Sequence, residues 1–223
     1  MATDARGLFI TFEGAEGSGK STQARQLALS LQQAELPVMF TREPGGTPIA
    51  DQIRHVILTP ENTAMDSAAE VLLYSASRAQ HVAERIRPAL ARGAIVVCDR
   101  FADSTLAYQG YGLGLDLAVL RAITTFATGG LTPNLTLYLD CPVNVGLGRK
   151  RDAAQQGGEW NRLDRKPIEY HERVRQGYLA LASAEPHRWR VIDATGDVET
   201  VQTAVLAAVA PCLEALWQPP LLP

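Results

Sequence analysis

The sequence predicts an α/β fold, a parallel sheet of five strands with helices on both faces. Three observations point to it. Strand-like apolar runs alternate with segments of helical periodicity along nearly the whole chain, the order expected of βαβ crossovers. The strand candidates include continuous apolar runs such as "AIVVCD", as strands covered on both faces do. The first of them passes directly into glycines, a lysine and two hydroxyls before a helix begins.

In chain order, "LFITFEG" reads as a buried strand and "KSTQARQLALSLQQAEL" as a helix with apolar residues at helical spacing. "PVMFTR" is the second strand, followed by the turn-rich "EPGGT" and a helix in "PIADQIRHVIL". "DSAAEVLLYSASRAQHVAERIRPALARG" reads as one long helix, capped by Asp66 or Ser67 and ended by Gly93. "AIVVCD" is the third strand, "LDLAVLRAITTFATG" a helix and "LTLYLD" the fourth strand. A helix through Arg149, the Gly- and Gln-rich "AAQQGGEW" and a helix through "EYHERVRQGYLALASAE" follow. "WRVID" is the last strand and "DVETVQTAVLAAVAPCLEAL" the last helix. Ligands of such sheets sit beyond the carboxyl ends of the strands, so the segments after Phe12, Thr41, Val97, Leu139 and Ile192 are the places to search.

Residues 1–217 are expected to form one domain and 218–223 a loose tail. Hydrophobic residues make up 46% of the chain and charged residues 20%, which provides a sizeable core and argues against disorder. A net charge of −3 argues against a general nucleic-acid partner. Cys98, Cys141 and Cys212 form no CxxC pair and are odd in number, so they read as small buried hydrophobes in a reducing compartment. "MATDARG" carries no signal region, and "AVLAAVAPCLEALW", broken by Pro211 and Glu214, is expected to be too short for a bilayer. A cytoplasmic protein without a membrane partner is expected. The histidines (His55, His81, His171, His187) do not cluster, and Trp160, Trp189 and Trp217 give no site signal.

The loop after the first strand is the strongest chemical signal. Gly14-x-x-x-x-Gly19-Lys20-Ser21 matches a phosphate-binding loop and lies between a strand and a helix, as that motif requires. Glycines let consecutive backbone N–H groups converge on phosphate oxygens, and the following helix presents its positive end. Lys20 reaches the β- and γ-phosphates and the Ser21 hydroxyl ligates Mg²⁺. Gly14, Ala15, Glu16, Gly17, Ser18, Gly19, Lys20, Ser21 and Thr22 are therefore the expected ATP-binding segment, with Mg²⁺ accompanying the nucleotide. No guanine-reading Asn/Thr-Lys-x-Asp motif is present, which disfavours a GTPase. Asp99, at a strand's end, is placed to hold Mg²⁺ beside Ser21, and the adjacent Arg100 suits an anion.

"TREPGGT" (Thr41–Thr47), "SRAQH" (Ser77–His81) and "DRFADSTLAYQG" (Asp99–Gly110), together with the loop, resemble the thymidylate kinase family, in the bacterial form with catalytic arginines in a lid. The resemblance runs from Phe9 to about Leu181. It implies a P-loop nucleoside monophosphate kinase fold with a short lid at about 149–166, transfer of a phosphoryl group from MgATP to dTMP, and a homodimer. Apolar residues near Leu72, Val119 and Ile123 permit a dimer face or a monomer core. Tyr74 and Arg78, four apart on one helix, suit a pyrimidine by stacking and hydrogen bonding, Tyr74 standing where the family usually has Phe. By resemblance, Thr105 and Gln109 contact the base, Pro44 packs near it, Tyr108 crowds the 2′ position, Glu16 meets the 3′-hydroxyl, and Arg54 and Arg100 hold the acceptor phosphate. Arg149 and Arg151 head the lid, and Arg162 and Arg165 close it. Gly17 stands where other members carry an arginine, so a lid arginine is expected to supply that charge: Lys20, Arg100, Arg149 and Arg151 form the expected catalytic set. The segment after "LDR" is shortened to "KPIE", which leaves Glu169 without an assigned role. The alternatives are a kinase for another pyrimidine nucleotide or a deoxynucleoside, and an ATP-binding module without catalysis.

Overall fold

The computed structural model describes residues 7–158 and 160–217, so the tail expected at 218–223 lies outside the described residues. The five expected strands form β1 (Leu8–Glu13), β2 (Val38–Arg42), β3 (Ile95–Asp99), β4 (Leu135–Asp140) and β5 (Trp189–Asp193). They pair in parallel in the order β2-β3-β1-β4-β5. Every residue of the central β1 is buried, which is why its sequence up to Glu13 is apolar apart from Thr11, whose hydroxyl pairs with that of Thr136. Side chains still alternate: Leu8, Ile10 and Phe12 enter one hydrophobic cluster, and Phe9 enters another on the opposite face.

Helices α1 (Lys20–Gln33), α2 (Pro48–Leu58), α3 (Ser67–His81), α4 (Arg87–Ala91), α5 (Ala102–Thr105), α6 (Leu117–Thr128), α7 (Val143–Gln155), α8 (Ile168–Ala184) and α9 (Val198–Leu216) connect and cover the strands. Their ends follow local chemistry. Thr47, Asp66, Asp116 and Asp197 accept hydrogen bonds from the first free backbone N–H groups of α2, α3, α6 and α9. Gly129, at φ 59°, ends α6 in the left-handed region. The long helix expected over 66–93 is interrupted: a π turn, Val82–Ile86, joins α3 to α4. Pro88 has no N–H and its ring crowds the preceding turn, so the helix widens there. A second π turn, Leu106–Gly112, extends α5 and presents Tyr108 and Gln109.

One expectation about α9 is corrected. Val198–Ala215 is long and apolar enough, by length and composition, to cross a membrane, with a mean hydropathy of 1.2. Its Val201, Val205 and Val209, one turn apart, are buried with Ala24, Leu27 and Leu31 of α1 in the cluster beside the sheet. The helix thus completes a layer of the fold. Cys98 and Cys141 are buried as expected, and Cys212 is half-buried. Leu72 and Val119 are 58% and 55% exposed, so they are not core, whereas Ile123 packs against the cluster around Tyr138 and Tyr178.

The register brings the strand ends to one edge. Phe12 and Arg42 both lie opposite Asp99, Glu13 opposite Tyr138, and Asp140 opposite Asp193. The chemistry-bearing loops open from this edge.

Candidate active site

A continuous cavity of about 980 Å³ runs along that edge. The loop Glu16–Thr22 lines its middle, Pro44, Arg54 and Tyr74 line one end, and Ala194, Gly196 and Asp197 line the other. A volume at the upper end for small-molecule sites, with a phosphate-binding loop between two ends, suits two ligands meeting at the loop.

The loop's conformation depends on its glycines. Gly14, Gly17 and Gly19 have φ of 153°, 68° and 89°, values that side chains resist. Gly17 also has no room: a Cβ there would lie 1.8 Å from the carbonyl oxygen of Gly146 in α7. Lys20 Nζ donates to Ala15 O at 2.7 Å and to Ser18 Oγ at 3.4 Å. Burial, reinforced by Arg100, pulls the Lys20 ammonium down to about 8, against the raising effect of Glu16, Asp99 and Glu13. Ser21 Oγ donates to Asp99 Oδ2, placing two hard oxygen donors side by side at the loop. Among the described residues no cluster of three or more His, Cys, Asp or Glu could hold a metal.

Arg100 is the hub next to the loop. Its backbone has φ 70°, a strained value for arginine that points to function. Its guanidinium donates to Glu16 Oε1 and the Tyr108 hydroxyl, both at 2.8 Å, and to Gly14 O at 3.1 Å, and it lies 4.8 Å from the Tyr108 ring centre. Burial opposes charge on Glu16, but Arg100 and Lys20 prevail and hold its carboxyl down to about 2. Glu13 lies beneath, fully buried, and was not singled out from sequence. It accepts from Phe101 N–H (2.8 Å), Ser104 Oγ (2.6 Å) and Tyr178 OH (2.8 Å). Burial, followed by Asp103, pushes it up to about 7. Its only sequence signal was an acid ending a mostly apolar strand.

At the other end of the cavity from Ala194, the structure brings Tyr74, Thr105, Tyr108, Gln109, Pro44 and Arg54 together in its lining. Arg54 Nη1 donates to Pro44 O at 3.1 Å. Burial and the nearby Glu70 carboxylate push the Tyr74 phenol well above its ordinary range. Arg78 sits behind this surface, 2% exposed, donating to Glu43 Oε2 (2.7 Å), Thr105 Oγ1 (3.0 Å) and Phe101 O (3.1 Å). Glu43 in turn meets His81 Nδ1 at 3.1 Å, and His81 Nε2 meets Thr41 Oγ1 at 2.6 Å.

The basic residues expected in the lid separate. The first part of 149–166 is α7, continuous to Gln155. Arg149 lines the cavity, donating to the carbonyls of Ala194 (2.8 Å) and Thr195 (2.9 Å). Arg151 and Arg165 are exposed and do not line the cavity. Arg162 is buried against Glu70 of α3. Lys150, passed over among its arginine neighbours, lines the cavity, contributes to the field that keeps Glu16 ionised and lies 3.6 Å from Asp164. Glu169 is exposed in the first turn of α8.

Comparison with known proteins gives a consistent result. The family model described as thymidylate kinase matches residues 12–205. A thymidylate kinase of Roseiflexus sp. (strain RS-1) is 55% identical over 217 residues, covering 94% of this chain and 96% of the relative. The thymidylate kinase of Geobacter sulfurreducens is 54% identical over 201 residues, covering 89% of this chain and 94% of the relative. The crystal structure of thymidylate kinase from Ehrlichia chaffeensis superposes with a TM-score of 0.74 at 33% identity, covering 92% of this chain and 98% of that one.

Proposed function

The chain belongs to the thymidylate kinase family, and from that membership we propose which residues bind its two substrates and how they act. The enzyme transfers the γ-phosphoryl group of ATP to dTMP, giving dTDP and ADP. The observation that best supports the residue assignment is the continuous cavity with the phosphate loop between a donor end and an acceptor end.

At the donor end, the backbone N–H groups of 14–22 and Lys20 take the ATP phosphates. Ser21 and Asp99 fit Mg²⁺, since a hydroxyl and a carboxylate in contact are the hard oxygen donors it prefers. When bound, the cation neutralises phosphate charge. At the acceptor end, Tyr74 stacks on the thymine, with Pro44 beside it and Thr105 and Gln109 at its edge. Arg78 steadies Thr105 from behind. Tyr108 occupies the space a 2′-hydroxyl would need, Glu16 accepts from the 3′-hydroxyl, and Arg54 and Arg100 hold the 5′-phosphate.

The acceptor phosphate is a dianion near neutral pH, so it needs no strong general base. One of its oxygens forms the new bond to the γ-phosphorus while the bond to the β–γ bridging oxygen breaks, and ADP leaves with that oxygen. Lys20, Arg100 and Lys150, the α7 cation that contributes to the field at Glu16, spread the developing charge, and a closed lid excludes water as a competing acceptor. A cytoplasmic homodimer joined through the exposed apolar residues Leu72, Val119 and Phe126 completes the reading.

The test is coupled ADP release with MgATP against dTMP, dUMP, UMP, dCMP, dGMP and thymidine. Strong preference for dTMP is expected, with turnover lost in Lys20→Ala while the fold stays intact. Preference for another acceptor would overturn the roles given to Tyr74, Thr105 and Tyr108.

A further inference from the structure

Glu70 lies in the first turn of α3, 2% exposed, and takes no part in the chemistry above. Its two carboxylate oxygens serve two different parts of the molecule. Oε1 accepts from Gln109 Nε2 at 2.7 Å, and Oε2 accepts from Arg162 Nη2. A carboxylate only accepts, so the Gln109 amide must turn its NH₂ toward Glu70. Arg162 belongs to the segment that returns from the lid. Its neighbours Asn161 and Leu163 line the cavity, and Asp164 faces Lys150 of α7 across 3.6 Å.

We propose that Glu70 is a positioning residue that ties the return segment of the lid to the acceptor-base site, so that dTMP binding and lid closure are one coupled event. The proposal rests on the assignment of Gln109 to the acceptor site. Gln109 and Arg162 share one buried anion, so a base held against Gln109 fixes Glu70, and Glu70 fixes Arg162. Arg162 is buried too, and its Nε lies 3.5 Å from Ile57 O, so it has a slot to occupy beside α2. A buried ion pair contributes little net stability over an apolar pair of the same shape, so stability alone gives weak reason for this one. Its two ends give a better reason, because one reads the acceptor and the other carries the lid.

The experiment is backbone hydrogen exchange with and without saturating dTMP, in the absence of ATP. In the wild type, dTMP should slow exchange in residues 156–166 by about fivefold or more, a typical coupling between sites. In Glu70→Gln, which keeps the shape and a contact for Gln109 but leaves Arg162 without its counter-ion, that slowing should vanish. The slowing should persist elsewhere around the acceptor site, where exchange reports dTMP occupancy directly. Global destabilisation would instead speed exchange throughout. Should Glu70→Gln not fold, Arg162→Gln gives the same readout with Glu70 and Gln109 intact. Slowing in 156–166 that survives either substitution, or is missing from the wild type, overturns the coupling. Wild-type turnover of dTMP is measured in parallel, so a failed coupling is distinguished from a wrong substrate.

Discussion

Gly17 and Gly146 meet backbone to backbone. A Cβ on Gly17 would lie 1.8 Å from Gly146 O, and a Cβ on Gly146 would lie 2.3 Å from Glu16 O. The contact locks α7, which carries Arg149 and Lys150, onto the phosphate loop. No side chain fits at Gly17, and α7, packed there, brings Arg149 and Lys150 to the cavity.

The glycine contact makes a graded prediction. Gly17→Ala combines a left-handed φ, which costs an alanine about 1–2 kcal/mol, with displacement of α7. A total loss of roughly 2–4 kcal/mol is expected, seen as a fall in Tm of roughly 5–15 °C. Gly19→Ala, also at positive φ but with nothing within 4 Å, should show the conformational cost alone. Thermal unfolding of both variants checks the order. Equal destabilisation would remove the claim that Gly146 sets the limit.

Arg78→Ala should act first on stability. It leaves the Glu43 carboxylate buried without its strongest partner, at a cost of about 3–5 kcal/mol. Because Thr105 loses its donor as well, the KM for dTMP should rise more than the KM for ATP. Denaturant unfolding and steady-state kinetics separate the two effects. A variant as stable as the wild type would refute the buried pair as a structural element.

Glu13 gives the fold a pH dependence of definite sign. Burial and Asp103 raise its carboxyl from 4.5 to about 7, so the folded state holds the proton more tightly than the unfolded state. Its contribution is therefore full below pH 4.5 and lost as pH rises to about 7. At about 1.4 kcal/mol per pH unit, the loss is on the order of 3 kcal/mol. Glu16 works in the opposite sense and in a separate window, its contribution lost as pH falls from 4.5 to about 2. Unfolding by urea at pH 5 and pH 8 should show the fall in the wild type and a flatter profile in Glu13→Gln. Identical profiles would mean that Glu13 stays ionised throughout.

What was legible in the sequence was what local pattern determines. The strands stood out because apolar and β-branched residues dominate them, β1 and β3 being buried throughout, and the loop because its spacing and its place between strand and helix coincide. Thr105, Tyr108 and Gln109 were singled out because they fall within one short motif, although their partners Arg78, Glu16 and Glu70 lie 27, 92 and 39 residues away. Glu70 and Glu13 were missed for a physical reason, since no motif contains them and their partners come from far along the chain, and Lys150 because it stands between two arginines. Arg162 is 92 residues from Glu70 and Tyr178 is 165 from Glu13. A surface ion pair and a buried relay have the same composition, and only the packing distinguishes them. The π turn ahead of Pro88 was hidden similarly, because the helical periodicity runs through it.

The division of labour on α7 gives the last prediction. The sequence singled out Arg149 and Arg151 as catalytic, from which Arg149→Ala should lower kcat. In the structure the Arg149 guanidinium holds the carbonyls of Ala194 and Thr195, at the donor end of the cavity, and Arg151 faces away. Lys150 is the α7 cation that contributes to the field at Glu16. Arg149→Ala should therefore loosen the loop before α9 and raise the KM for ATP about tenfold, a loss of roughly 1.4 kcal/mol, with kcat and the KM for dTMP little changed. Lys150→Ala should lower kcat by about 10–100-fold, the scale of a charge that acts on the transition state, with a smaller effect on either KM. Steady-state kinetics with each substrate varied decides between them. A kcat loss confined to Arg149→Ala would return the catalytic charge to the arginine and leave Lys150 as the partner of Asp164 alone.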